Sequence, residues 1–299
     1  MEKNEVLHIY LNPGFDKRHN GGINKLKKIF SDLKLNIEFV DLNFLKQNIP
    51  NENYTTKLLI VGGDGTLHIV LNAIPEKFLE KYIFGILPCG TANEFAKSLN
   101  MPKNLYNSCK IIASSDKLSF QHLGLVNKKY KFATGVLYGA PVNVLSTTSD
   151  RAKWLLGIRA FYTGFSRFIL NFLNKKDFLL KKFILNNKSF STNFLIINNA
   201  SLSTKDVTSS ELNYEDKNKL SVIYLDANIN LKDIFRLAAK HEFKKNILKD
   251  KSIHFKSYKK IDIKFKNEIQ LTLDGEFYKL KSPLKIEFYP KNLKFIINN

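Results

Sequence analysis

Leu58-Leu59-Ile60-Val61-Gly62-Gly63-Asp64-Gly65-Thr66-Leu67 is the stretch that decides the fold of this 299-residue chain. Four large apolar residues in a row have the length and content of a strand buried on both faces. The glycines after them make a turn. Leu67, Val70, Leu71 and Ile74 then recur at three- and four-residue spacing up to Pro75, which is a helix and its stop. The same unit recurs on either side. Val6 to Leu11 runs into Asn12-Pro13-Gly14, and Ile23, Leu26, Phe30 and Leu33 mark the helix that follows. Asn36 to Val40 reads as a strand. Ile83 to Leu87 leads through Pro88-Cys89-Gly90-Thr91 to a helix carrying Phe95 and Leu99. Strand and helix alternating in this way predict a Rossmann-like parallel sheet covered by helices.

Beyond about Lys117 the pattern changes. Phe132–Leu137, Phe178–Leu185, Asn193–Ile197, Leu220–Leu225, Ile261–Phe265, Ile269–Leu273 and Leu284–Phe288 have strand length and β-branched or aromatic content. Turn residues separate them, which predicts an antiparallel β-sandwich. Two stretches stand out as helices: Arg151 to Leu173, with Trp154, Leu155, Ile158, Phe161 and Phe165 at helical spacing, and Leu231 to Phe243. The chain reads as α/β, then mostly β.

Composition narrows the classes. A hydrophobic share of 44% suffices for a packed core and excludes wholesale disorder. Cys89 and Cys109 cannot make a disulfide scaffold or a Cys-rich zinc site, and they fit a reducing compartment. Cys89 reads as a small buried residue. His8, His19, His68, His241 and His254 show no metal-ligand spacing. The acid-bearing start Met1-Glu2-Lys3-Asn4-Glu5 argues against a signal peptide, and no run of about 18 apolar residues suggests a spanning helix. The expectation is a soluble protein of the cytoplasm. The net charge of +20 suits an anionic partner, although a chain crowded with Lys, Asn and Ile can carry it as composition alone. Without zinc-finger spacing or a repeated aromatic-basic pattern, nucleic acid is not expected.

The turns carry the chemistry. Glycine lets backbone approach a ligand closely, and free N–H groups at a helix start favour phosphate. A tight strand-to-helix turn would need fewer glycines than Gly62-Gly63-Asp64-Gly65-Thr66, and Gly-rich turns at strand ends of open sheets are where ligands bind. Gly-x-x-x-x-Gly-Lys-Ser/Thr is absent, so this is no Walker-type loop. Gly90-Thr91-Ala92-Asn93-Glu94 offers a second polar turn one unit later, and Asn12-Pro13-Gly14 a third on the same sheet edge. Leu273-Asp274-Gly275-Glu276 could be simply a hairpin turn before Phe277–Leu280.

Together, Asn12-Pro13, Gly62-Gly63-Asp64-Gly65-Thr66, Pro88-x-Gly90-Thr91-Ala92-Asn93 and Leu273-Asp274-Gly275-Glu276 resemble the diacylglycerol kinase catalytic family. That family includes bacterial lipid kinases and sphingoid-base and ceramide kinases, and is distantly related to NAD kinases. Leu156-Gly157-Ile158-Arg159-Ala160-Phe161-Tyr162 is similar to the family's helix in the second domain. The resemblance implies an ATP-binding α/β domain over residues 1–120, joined by the terminal segment 290–299. It implies a lipid-substrate β-sandwich over 121–289 and an active site in the cleft between the two. ATP and Mg²⁺ are the implied cofactors, and diacylglycerol or a related lipid the substrate. Asn12, Pro13, Gly62, Gly63, Asp64, Gly65, Thr66, Gly90 and Thr91 would hold the nucleotide. Asp64, Glu94 and Asp216 fall at metal positions. Asp274 would be the general base, with Glu276 beside it.

Three positions depart from the family. Glu94 replaces an Asp, His122 stands in place of the Asp of Asp-Leu-Gly, and Asp216-Lys217-Asn218-Lys219-Leu220-Ser221 replaces a more acidic pattern. Imidazole is no substitute for a hard oxygen ligand to Mg²⁺. Two further readings therefore stay open: an NAD-kinase-like phosphotransferase, and a catalytically weak nucleotide- or lipid-binding regulator. Leu87-Pro88 before Gly90-Thr91-Ala92-Asn93 favours the lipid kinases, and intact Asp64, Thr66, Asp274 and Glu276 favour an active enzyme. Arg151 to Lys188 holds nine Lys/Arg against Asp177, and Lys240 to Lys266 ten Lys against Glu242, Asp250 and Asp262. With the resemblance, these predict docking at an anionic membrane surface, peripheral at the inner membrane. Nothing in the sequence sets an oligomeric state.

Overall fold

The computed structural model describes residues 6–47, 56–139, 181–199, 219–229, 232–233, 236 and 250–298. They divide into two compact units, Met1–Leu123 with Pro290–Asn299, and Gly124–Tyr289. In the first, β1 (Val6–Leu11) is followed by the single-turn α1 (Phe15–Arg18), α2 (Gly22–Asp32), β2 (Asn36–Val40) and α3 (Leu42–Gln47). Then come β3 (Thr56–Gly62), α4 (Asp64–Ala73), a 3₁₀ turn at Glu76–Lys81, β4 (Tyr82–Pro88), α5 (Glu94–Ser98), α6 (Leu105–Ser114) and β5 (Leu118–Gln121). Leu58 to Val61 are fully buried, as their unbroken apolar run predicts for a central strand. The strands pair in parallel in the order β2-β1-β3-β4. The chain thus leaves β1 toward one side and β3 toward the other, so the topological switch point lies between these two strands.

The second unit begins with β6 (Gly124–Val126), β7 (Tyr130–Phe132), β8 (Gly135–Gly139), β9 (Lys181–Leu185), β10 (Lys188–Thr192) and β11 (Phe194–Asn199). It continues with β12 (Leu220–Leu225), β13 (Ile253–Tyr258), β14 (Lys260–Phe265), β15 (Glu268–Leu273), β16 (Glu276–Lys281) and β17 (Leu284–Phe288). They form two sheets, β10-β9-β14-β17-β6-β7 and β13-β12-β11-β8-β15-β16, antiparallel throughout. Phe132, Phe183, Ile263 and Ile286 of the first share one core with Val136, Leu195, Val222 and Leu271 of the second. This is a β-sandwich, held by alternate apolar residues on facing sheets.

One expected strand is two. Phe132–Leu137 breaks at Ala133-Thr134, because β7 belongs to one sheet and β8 to the other. The backbone at the crossing bonds elsewhere. The N–H groups of Ala133, Thr134 and Gly135 go to the Asp274 carboxylate, and the carbonyls of Ala133 and Thr134 go to Asn199. The helix expected over Arg151–Leu173 lies outside the described residues, as does most of that over Leu231–Phe243.

After β17 the chain returns to the α/β unit as β18 (Leu293–Ile296), between β4, to which it is parallel, and β5, to which it is antiparallel. Phe295 stacks on Phe84 at 5.2 Å and meets Phe95 edge-on at 4.8 Å between ring centroids. Its full burial is worth about 1.5–3 kcal/mol. Since Phe95 belongs to α5, the last strand braces the helix behind the second glycine turn.

Candidate active site

The turns after β1 and β3 stand on the two sides of the switch point, where ligands of open α/β sheets bind. They are tied to each other. Asn12 Nδ2 donates to Thr66 Oγ1 at 3.0 Å, while Asn12 Oδ1 accepts from Gly14 N at 3.0 Å and from Arg18. Asn12 N also bonds Val61 O, so the first turn continues the β1–β3 ladder. Thr66 sits in the first turn of α4, packed so tightly that a Cβ on Gly62 would lie 2.3 Å from Thr66 Oγ1. Glycine is required there for packing, before any ligand is considered.

The turn after β4 locks onto the same edge. A Cβ on Gly90 would lie 2.5 Å from Gly63 Cα, so the two glycine turns touch backbone to backbone. Asn93, with φ +52°, closes the second turn on itself: its Oδ1 accepts from Gly90 N at 2.8 Å and its Nδ2 donates to Gly90 O at 2.7 Å. Asp64 crosses between the turns. Its two carboxylate oxygens accept from Glu94 N at 3.1 Å and Phe95 N at 2.9 Å, the first N–H groups of α5. An acceptor at a helix start is worth about 1 kcal/mol, up to about 2. Asp64→Ala is therefore expected to lower the unfolding free energy by that much, read as a lower urea midpoint at unchanged m-value. An unshifted midpoint would mean that α5 does not depend on this bridge.

The expected metal ligands are oxygen donors of the right hardness. Glu94 lies at the start of α5 and pairs with Lys97 at 2.7 Å, and its backbone N–H donates to Asp64 Oδ2 at 3.1 Å. Asp216 lies outside the described residues. Among the described residues no three acidic, His or Cys side chains cluster as a metal cage. This donor set fits Mg²⁺, which is commonly held by one or two carboxylates with water and substrate phosphates. Cys89 is half-buried, and burial pushes its thiol up to about 12, so at neutral pH it is a protonated thiol and no nucleophile.

In the β unit, Asp274 and Gly275 have φ +52° and +92° and join β15 to β16 as a two-residue hairpin. Positive φ at both central positions marks a type I′ turn, for which Asp-Gly is favoured. The turn reading is thus right, and it is incomplete. Asp274 is only 7% exposed, and its carboxylate accepts from Ala133 N at 2.8 Å, Thr134 N at 2.7 Å, Thr134 Oγ1 at 2.6 Å and Gly135 N at 3.1 Å. Four donors fix it against the β7–β8 crossing. Glu276 starts β16 next to it, and Tyr278 follows, its hydroxyl pushed up mainly by burial and further by Glu276, Tyr130 and Asp274. Pro13, Gly65 and Thr91 lie in or beside the turns described for the α/β unit. Sequence reasoning missed Arg18, Thr134 and Asn199, none of which sits in a recognisable motif.

Residues 22–123 match the model of the diacylglycerol kinase catalytic domain. A diacylglycerol kinase of Staphylococcus saprophyticus subsp. saprophyticus is 26% identical over 255 residues, 81% of this chain and 79% of its own. A solved structure from Bacillus anthracis str. Sterne, carrying the diacylglycerol kinase name, covers 100% of this chain with 99% of its own at TM-score 0.70 and 17% identity. An NAD kinase from Archaeoglobus fulgidus, solved in complex with ATP, shares the fold more distantly, at TM-score 0.53 and 10% identity over 98% of this chain and 94% of its own. The interlocked turns Gly62–Thr66 and Gly90–Asn93 thus lie inside a stretch that matches the diacylglycerol kinase catalytic domain, on a chain that resembles that family along its length.

Proposed function

We propose that the protein is a lipid kinase that moves the γ-phosphate of ATP to the hydroxyl of diacylglycerol or a related lipid. The observation that carries this is the mutual locking of three polar turns at the switch point of the α/β unit, in a chain similar to diacylglycerol kinases. Asn12, Pro13, Gly62 to Thr66, Gly90 and Thr91 hold the nucleotide, with backbone N–H groups and hydroxyls facing phosphate. Asp64 and Glu94 hold Mg²⁺, which when bound neutralises charge on the phosphates. Asp274 orients the lipid hydroxyl and takes its proton as the oxygen bonds phosphorus and ADP leaves. Its four hydrogen bonds keep the carboxylate in one place, the positioning that phosphoryl transfer chiefly requires. Glu276 stands beside it.

The lipid is met at an anionic membrane surface on the cytoplasmic side. Lys251, Lys256, Lys259, Lys260, Lys264 and Lys266 are all exposed, which supports this reading. No helix among the described residues is long and apolar enough to cross a membrane. With labelled ATP, Mg²⁺ and anionic vesicles carrying a panel of lipid alcohols, label is expected in a phosphorylated lipid. Label found only in ATP and free phosphate would sink the proposal.

A further inference from the structure

Arg18 ends the single-turn α1 and is exposed, yet its guanidinium is fixed. Nε donates to Gly14 O at 3.1 Å, and Nη2 donates to Asn12 Oδ1. Asn12 passes the connection on through Nδ2 to Thr66 Oγ1. One side chain therefore separates a permanent cation from the first turn of α4. Its charge also reaches the turn after β4, where it works against the upward push of burial on Cys89. Among the described residues no carboxylate pairs with Arg18. An exposed cation beside helix-start N–H groups, with no carboxylate paired to it among the described residues, is an arrangement that an anion relieves.

We infer that Arg18 is an anion-contact residue, whose remaining guanidinium N–H groups receive a phosphate oxygen of the nucleotide at the Asn12 and Thr66 turns. The inference rests on the nucleotide-binding reading of this unit, and it assigns a ligand contact to a residue outside the glycine motifs. Guanidinium suits the task because it keeps its charge at every working pH and presents a planar fork of donors to phosphate. The contacts to Gly14 and Asn12 set the plane of that fork before the ligand arrives, which lowers the cost of ordering it on binding.

The test is calorimetric titration of the full chain with ATP at several salt concentrations, for wild type, Arg18→Lys and Arg18→Gln. Arg18→Gln is expected to unfold at the wild-type temperature and to bind ATP roughly tenfold to a hundredfold more weakly, the scale of a charge-assisted hydrogen bond. Its affinity is also expected to fall less steeply with salt, because one charge contact is gone. Arg18→Lys, keeping charge but not the fork, is expected to lie between. Affinity in Arg18→Gln within about twofold of wild type would overturn the inference. So would a loss that keeps the wild-type salt slope and comes with a lower melting temperature, since Arg18 would then merely prop the turn. A wild-type chain that binds no ATP would remove the nucleotide reading itself, and this inference with it.

Discussion

Asp274→Asn is expected to cut turnover by a factor on the order of 10²–10⁴, the scale of a lost general base, while ATP binding persists. The substitution is not silent structurally. The new amide would turn a donor toward N–H groups of Ala133, Thr134 or Gly135, all now served by the carboxylate. Some stability is therefore lost as well, and a companion variant separates the two effects. Thr134→Val removes only the Oγ1 bond and leaves the carboxylate with its backbone donors. It is expected to cost about 1 kcal/mol of stability and to keep most of the turnover. Steady-state rates on folded protein, with unfolding curves for both variants, make the comparison. If Asp274→Asn retains more than about a third of wild-type kcat, far above that range, Asp274 is a hairpin and crossing residue only.

Gly90→Ala should have the second largest effect. Its Cβ would lie 2.5 Å from Gly63 Cα, 3.0 Å from Gly63 N and 2.9 Å from Asn93 Oδ1. Two of those atoms are backbone and cannot swing aside, so the turns must part. Overpacking of this kind costs about 1–3 kcal/mol. A displacement near 1 Å at a site that positions phosphates costs on the order of a hundredfold in function. ATP affinity by calorimetry and a urea titration report the two parts. Wild-type affinity in a folded Gly90→Ala protein would show that the nucleotide does not depend on how these turns touch.

The α/β half was legible because its signals are local. Leu58 to Val61 announce a strand buried on both faces, and Gly62 to Thr66 announce the turn that follows. The signals of α6 are local too: Asn104 caps it by accepting from Asn107 N, and Ser108, Cys109 and Ile112 mark its buried face. α1 and α3, at four and six residues, are too short for periodicity to show. What the sequence hides is partnership at long range. Asp274 holds residues about 140 positions away, so nothing near Phe132–Leu137 signals the break that the carboxylate supports. Asp64 reads as a ligand for phosphate-bound metal, and only the fold reveals its bonds to the start of α5. Arg18 looks like a solvated helix end until its contacts to Gly14 and Asn12 are seen. Asp216 and the aromatic helix expected over Arg151–Leu173 fall outside the described residues.

The most direct test of the lipid kinase assignment is a competition between acceptors. The full chain is given γ-labelled ATP and Mg²⁺ with a panel of lipid alcohols, diacylglycerol among them, in anionic vesicles and NAD in solution, and lipid and nucleotide products are followed together. Label is expected in the phosphorylated lipid, with little in NAD and almost none in either when Asp274→Asn replaces the wild type. Label accumulating in NAD, or in neither acceptor, would contradict the assignment.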